Sequence, residues 1–149
     1  MSQFYVGHNT ADWMCASIVN VFGLYHPYIG DKATLYYLYL ASQRDNETGV
    51  VWKTRREIVE KFRFSRSTIP LIERILNAVG LVTLKYVFVG RGQDKIVYIV
   101  HDPLTAYDFT QRRNEIIGRL RQTVSETPSI AKILGKESGW RAFESRANI

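Results

Sequence analysis

The most constraining feature of this 149-residue chain is a pair of β-rich runs joined by a glycine turn. Residues 81 to 89 read Leu-Val-Thr-Leu-Lys-Tyr-Val-Phe-Val, and residues 95 to 100 are again β-branched or aromatic apart from one lysine. Between them, residues 90 to 94 read Gly-Arg-Gly-Gln-Asp, which is typical of a turn. The sequence therefore predicts a β-hairpin with a basic tip, which must pack against the helical remainder of the chain.

An amphipathic helix is predicted directly before this hairpin, over residues 66 to 79. Its apolar residues recur at helical spacing and form one stripe, made of Ile69, Ile72, Leu76 and Val79. Pro70 is compatible with a helix only in its first turn, so we expect the cap at Ser65 or Ser67. Gly80 ends this helix.

A shorter helix precedes it and follows a β-run at residues 50 to 52. Thr54 and Glu57 have the spacing of a capping box, and this helix is expected to end near Phe64. Two further helices are predicted towards the N-terminus. The first runs from Asn9 or Thr10 to Phe22 with Gly23 as its stop, and the second runs from Asp31 to Gln43.

After Asp102-Pro103 the pattern changes to a charged helix over residues 106 to 123, which Pro128 ends, with a short helix near 129 to 134. The predicted fold is α+β and mostly helical. It is a winged helix-turn-helix over residues 1–105, with an N-terminal helical extension, and a C-terminal helical appendage over 106–149.

The net charge of +6 is concentrated in one part of the chain. Residues 53 to 95 hold ten lysines and arginines against four acidic residues, whereas the remaining residues hold ten of each. A basic segment that coincides with a helix-turn-helix and its wing predicts contact with duplex DNA. The candidate contact residues are Lys53, Arg55, Arg56, Ser65, Arg66, Ser67, Thr68, Arg74, Lys85, Arg91, Gln93 and Lys95.

Other interpretations stay open at this point. The hydroxyls of residues 65 to 68 serve as helix caps whether or not DNA is bound, and winged helices also act as protein–protein modules. A self-associating scaffold is the second hypothesis, with Tyr25, Tyr28, Tyr37 and Trp140 as its interface. A transcriptional regulator that binds a palindromic operator as a dimer is the third.

Several classes of site are disfavoured. Cys15 is the single cysteine, which excludes an internal disulfide and a four-cysteine zinc site, and the three histidines are scattered. We expect no metal, no cofactor and no catalytic set, so the protein is predicted not to be an enzyme. No targeting segment or membrane span is apparent, which indicates a cytoplasmic protein.

Residues 24 to 40 read Leu-Tyr-His-Pro-Tyr-Ile-Gly-Asp-Lys-Ala-Thr-Leu-Tyr-Tyr-Leu-Tyr-Leu. This segment resembles the opening of the winged-helix N-terminal domain of DnaD/DnaB-type replication initiation (primosome) proteins of Gram-positive bacteria, their phages and plasmids. The resemblance implies a role in replication initiation. It also implies a domain that forms homo-oligomers, dimeric or higher, and recruits other replication proteins.

Overall fold

The computed structural model describes residues 18–52, 55–88 and 94–135. Within these ranges the fold is α+β and mostly helical, as predicted, with helices packed on a small antiparallel sheet. Residues 18 to 20 are helical and lead into a π-helical turn, Val21–Tyr25. The helices that follow are α1 (His26–Gln43), α2 (Arg55–Phe62), α3 (Thr68–Ala78) and α4 (Ala106–Glu126), and a 3-10 segment (Pro128–Lys132) comes after them.

The three strands are β1 (Val50–Trp52), β2 (Val82–Phe88) and β3 (Asp94–Val100), arranged in the order β1-β3-β2. β2 and β3 form the predicted antiparallel hairpin, with a register that runs from Val82 opposite Val100 to Phe88 opposite Asp94. Its tip, residues 89–93, lies outside the described residues. β1 pairs antiparallel with the other edge of β3, so the hairpin gains the third strand that a small sheet needs for stability.

The N-terminal helix does not stop at Gly23, so that prediction is wrong. The helix continues through the π-helical turn, and the break comes at Gly30, where φ is +87° inside α1. An isolated glycine is tolerated in a helix, whereas a positive φ ends the helical hydrogen-bond pattern and favours glycine. The expected helix start at Asn9 or Thr10, together with Cys15, lies outside the described residues.

A close contact between two backbone segments is a second reason why position 30 must be a glycine. The chain after the 3-10 segment crosses this break, and the amide of Gly135 donates a hydrogen bond of 2.9 Å to the carbonyl of Tyr28. A β-carbon on Gly30 would overlap the carbonyl oxygen of Ile133, and one on Gly135 would overlap that of Pro27. The two backbones therefore touch directly through two glycines.

One hydrophobic core joins the described elements. Leu40 of α1, Leu76 of α3, Leu120 of α4 and Ile130 of the 3-10 segment are all buried in the same cluster. The inner face of the sheet contributes to this cluster as well, through Val51. The described residues between 106 and 135 therefore pack on the same core as the rest. No helix among the described residues combines the length and the apolar character needed to cross a bilayer.

Candidate nucleic-acid interface

The turn between α2 and α3 is held by two phenylalanines on either side of an arginine. The rings of Phe62 and Phe64 stack with centroids 5.2 Å apart and 13° between their planes. Arg63 lies between them with a positive φ of 57°, a conformation that is uncommon for a residue with a side chain. This reversal lets both rings pack on the core and leaves Arg63 exposed.

Three hydroxyls form a cluster at the start of α3. The Ser65 Oγ lies 2.6 Å from Thr68 Oγ1 and 3.2 Å from Ser67 Oγ. Ser67 is the N-cap residue, as expected, but its side chain makes no capping hydrogen bond to the helix. The hydroxyls of this turn therefore bond to one another and do not cap α3 by the expected route. Pro70, the third residue of α3, lies in the first turn as predicted.

The inner face of α3 matches the predicted stripe. Ile69, Ile72 and Leu76 are fully buried, and Val79 is nearly so. Arg66, just before the helix, and Arg74, within it, are exposed.

Asn77 is exposed too, but its amide group is engaged within the fold. The Asn77 Nδ2 donates a hydrogen bond of 3.3 Å to the carbonyl of Val82, which ties α3 to β2.

A buried acidic residue on α3 is the main feature that the sequence reasoning missed. Glu73 is only 2% exposed, and its Oε2 accepts hydrogen bonds from the phenols of Tyr98, at 2.5 Å, and Tyr36, at 3.1 Å. Burial is the main cause that raises the pKa of Tyr36, and the neighbouring Glu73 and Tyr98 raise it further, so this phenol remains a donor. The periodicity did contain a signal, because position 73 lies four residues after Ile69 and three before Leu76.

The burial of Glu73 changes the electrostatics of the outer surface. α3 holds one acidic residue, Glu73, and one cation, Arg74. Since the acid is inside and Arg74 is exposed, the outward surface of α3 presents positive charge without a carboxylate on the same helix.

The remaining candidates lie on α2 and the hairpin. Arg56 is exposed, and its Nε lies 3.4 Å from Oε1 of Glu60. Solvent-exposed ion pairs of this kind contribute little to stability. Lys85 is exposed on β2. Arg55 begins α2 and Lys95 lies in β3, but their side chains are outside the description, as are residues Lys53, Arg91 and Gln93 altogether.

The tyrosines expected to form an exposed scaffold interface are buried. Tyr25, Tyr28 and Tyr37 are buried, and Trp140 lies outside the described residues. The Tyr25 oxygen accepts a hydrogen bond from the amide of Leu104, and the Tyr37 phenol donates one to the carbonyl of His101. That prediction is wrong for the three tyrosines, because their rings are buried in the core, and the phenols of Tyr25 and Tyr37 are bonded to backbone groups.

Comparison of the chain with protein-family models, with curated proteins and with solved structures gives no match. In the ranges that the structure covers, no group of three or more His, Cys, Asp or Glu side chains is placed to hold a metal ion.

Proposed function

We propose that this protein binds duplex DNA as a winged helix-turn-helix, with α2 and α3 as the helix-turn-helix and β2–β3 as the wing. In this arrangement the helix over residues 66–79 enters the major groove by its N-terminal end. The wing over residues 85–95 reaches the phosphate backbone or the minor groove. The element order and the three-stranded antiparallel sheet support the assignment.

The observation that carries the proposal is the sorting of charge on α3 and the turn before it. Arg63, Arg66 and Arg74 are exposed, while the acidic residue of α3 is buried against two tyrosines. A surface that only maintained solubility would intersperse both signs. A surface that neutralises phosphates needs cations without competing carboxylates.

The proposal assigns a DNA contact to each of these exposed arginines and to the hydroxyl groups before α3. Arg63 and Arg66 flank the start of α3, where unpaired helix amides and the helix dipole also favour anions, so we assign them to phosphates. The hydroxyls of Ser65 and Ser67 are further donors to phosphate oxygens. Arg74 lies within the helix that enters the groove, where a guanidinium can fork onto guanine O6 and N7.

We propose that the protein acts by binding and not by catalysis, in the initiation of DNA replication. The replication role and the homo-oligomeric state rest on the resemblance of residues 24 to 40 to DnaD/DnaB-type proteins. We propose a cytoplasmic location as well. A scaffold that recruits another replication protein is the second candidate. It is favoured by the exposed apolar side chains of Val19, Phe22 and Leu35, which lie on the helices before and after the break at Gly30.

The test is a titration of a labelled 30-base-pair duplex with the full chain, followed by fluorescence anisotropy at several salt concentrations. Arg66→Ala and Arg74→Ala should each weaken binding, and the loss of a phosphate contact at Arg66 should reduce the slope of log Kobs against log[salt] by about one. Lys132→Ala is the matched control, because it removes one exposed charge from the 3-10 segment and leaves α2, α3 and the hairpin unchanged.

Duplex binding that is absent at low salt overturns the proposal. So does an unchanged affinity and salt slope for both arginine variants. Sedimentation with and without DNA separates the second candidate, since stable self-association without duplex binding is the result expected of a scaffold.

A further inference from the structure

A tryptophan at the end of β1 is exposed to solvent. Trp52 keeps 65% of its surface accessible, although large aromatic side chains contribute most to stability when they are buried. It directly precedes Lys53 and the first residues of α2, Arg55 and Arg56, in the sequence. An exposed tryptophan beside a cationic segment is typical of a binding surface.

The register of the sheet places a lysine on the same face. Trp52 of β1 and Lys85 of β2 both lie opposite Val97 of β3, so the three residues form one row across the sheet. Residues directly opposite each other project to the same side of a sheet. The neighbouring row, which includes Val51 and Tyr98, is buried in the core, so the row of Trp52 lies on the opposite, outer face. In this row Trp52 and Lys85 are exposed, whereas Val97 between them is buried.

The composition of the outer face indicates the class of ligand. Among the residues of this face whose side chains the structure describes, Lys85 is charged and none is acidic; they are Val50, Trp52, Thr83, Lys85, Val97 and Ile99. Two strand spacings, about 10 Å, separate the Trp52 backbone from that of Lys85. A base that stacks on the indole therefore has its own sugar and phosphate within reach of Lys85, across the buried Val97.

We propose that this outer face binds single-stranded nucleic acid, with an unpaired base stacked on Trp52 and a phosphate held by Lys85. Exposed strands that carry an aromatic side chain and a nearby cation bind single strands in this way, because every base has a π-face. A protein partner is the less favoured ligand, since lysine is depleted at the centre of protein interfaces. The site goes beyond the proposed duplex contact, with which it shares Lys85. Trp52 distinguishes the two, because it lies outside the helix over residues 66–79 and the wing over residues 85–95.

The experiment compares two fluorescein-labelled probes, single-stranded (dT)15 and a 15-base-pair duplex, in anisotropy titrations of the full chain. Trp52→Ala should weaken (dT)15 binding by roughly 10- to 100-fold, the range measured when a base loses its aromatic partner. Trp52→Phe should restore most of the affinity, and Lys85→Ala should reduce the salt dependence. Tyr107→Ala removes a similarly exposed aromatic side chain from α4 and should leave the affinity for both probes unchanged.

A second measurement reports stacking directly. The chain has three tryptophans, so the Trp13→Phe, Trp140→Phe variant leaves Trp52 as the sole indole fluorophore. Saturation with (dT)15 should quench its emission.

The outcomes separate this inference from the proposed function. Unchanged (dT)15 affinity in Trp52→Ala, equal losses on both probes, or no quenching overturns the stacking site. Binding of (dT)15 that depends on Trp52, without any duplex binding by the wild type, supports the stacking site and overturns the duplex proposal.

Discussion

The phenol of Tyr98 on β3 donates a hydrogen bond of 2.5 Å to the carboxyl group of Glu73 on α3. Both residues are buried, and Tyr36 of α1 donates to the same oxygen. Hydrogen bonds among these three side chains therefore connect α1, α3 and β3 inside the core. Because α3 also carries the exposed Arg74, this buried contact fixes how the proposed recognition helix sits against the hairpin that would form the wing.

Removing either side of this contact should destabilise the fold. We expect Tyr98→Phe to lower the free energy of unfolding by about 1–3 kcal/mol, because the carboxyl oxygen loses a buried donor. We expect Glu73→Ala to cost about 2–4 kcal/mol, since it leaves a buried phenol without its acceptor and also opens a cavity. Urea denaturation of both single variants and of the double variant measures the coupling. A double variant whose loss equals the sum of the single losses would show that the hydrogen bond contributes no interaction energy.

Stability should fall steeply in alkaline solution. Burial raises the pKa of Tyr25, Tyr36 and Tyr37 above the value of 10.0 for a free phenol. Above pH 10 the unfolded chain releases these three protons and the folded state keeps them, so the contribution is complete below pH 10 and is lost as the pH rises. Well above pH 10, a phenol that stays protonated in the folded state contributes a slope that approaches about 1.4 kcal/mol per pH unit, and Tyr36 and Tyr37, whose pKa values are raised most, contribute the larger share.

Urea titrations between pH 9 and pH 11.5 measure this slope. Tyr37→Phe should reduce the slope above pH 10, by an amount that approaches about 1.4 kcal/mol per pH unit. Tyr107→Phe is the control, because that tyrosine is 73% exposed, and its removal should leave the slope unchanged. The same slope in Tyr37→Phe as in the wild type would contradict the assignment.

Two glycines should respond to alanine in opposite directions. Gly30→Ala should lower the free energy of unfolding by about 2–4 kcal/mol, because the positive φ is strained for alanine and its methyl group overlaps the Ile133 carbonyl. Gly118→Ala should raise it by about 0.5–1 kcal/mol, since Gly118 lies within α4 and a β-carbon there meets nothing within 4 Å. Thermal melts of the two variants check both signs, and a shift of Tm in the same direction for both would refute the prediction.

Much of the fold can be predicted from short stretches of the sequence. Three features are predictable because each depends on short-range periodicity or on turn residues. They are the apolar stripe of α3, the hairpin and the helix over residues 106 to 123. Gly23 misled the prediction because a sequence does not show which glycine has a positive φ. Gly30 has that φ where a segment about a hundred residues later crosses it.

The candidate site was predicted less completely than the fold. Arg66, Arg74 and Lys85 are exposed as expected. The burial of Glu73 could not be read from its residue type, since a buried carboxyl needs partners, and its tyrosines come from distant parts of the sequence. Arg63 was counted in the basic segment but was not among the predicted contact residues, because only the structure shows its left-handed backbone and its exposed side chain.

Arg63 allows the fold and the proposed function to be tested separately. Its positive φ of 57° is more favourable for glycine, so Arg63→Gly should change the free energy of unfolding by no more than about 1 kcal/mol, the strain relief offsetting the added freedom of the unfolded chain. The same variant should weaken duplex binding and lower its salt slope by about one, because a phosphate contact is lost. Arg63→Lys keeps the charge and should retain the slope. A glycine variant that is as stable as the wild type and binds duplex with the same slope would remove Arg63 from the interface.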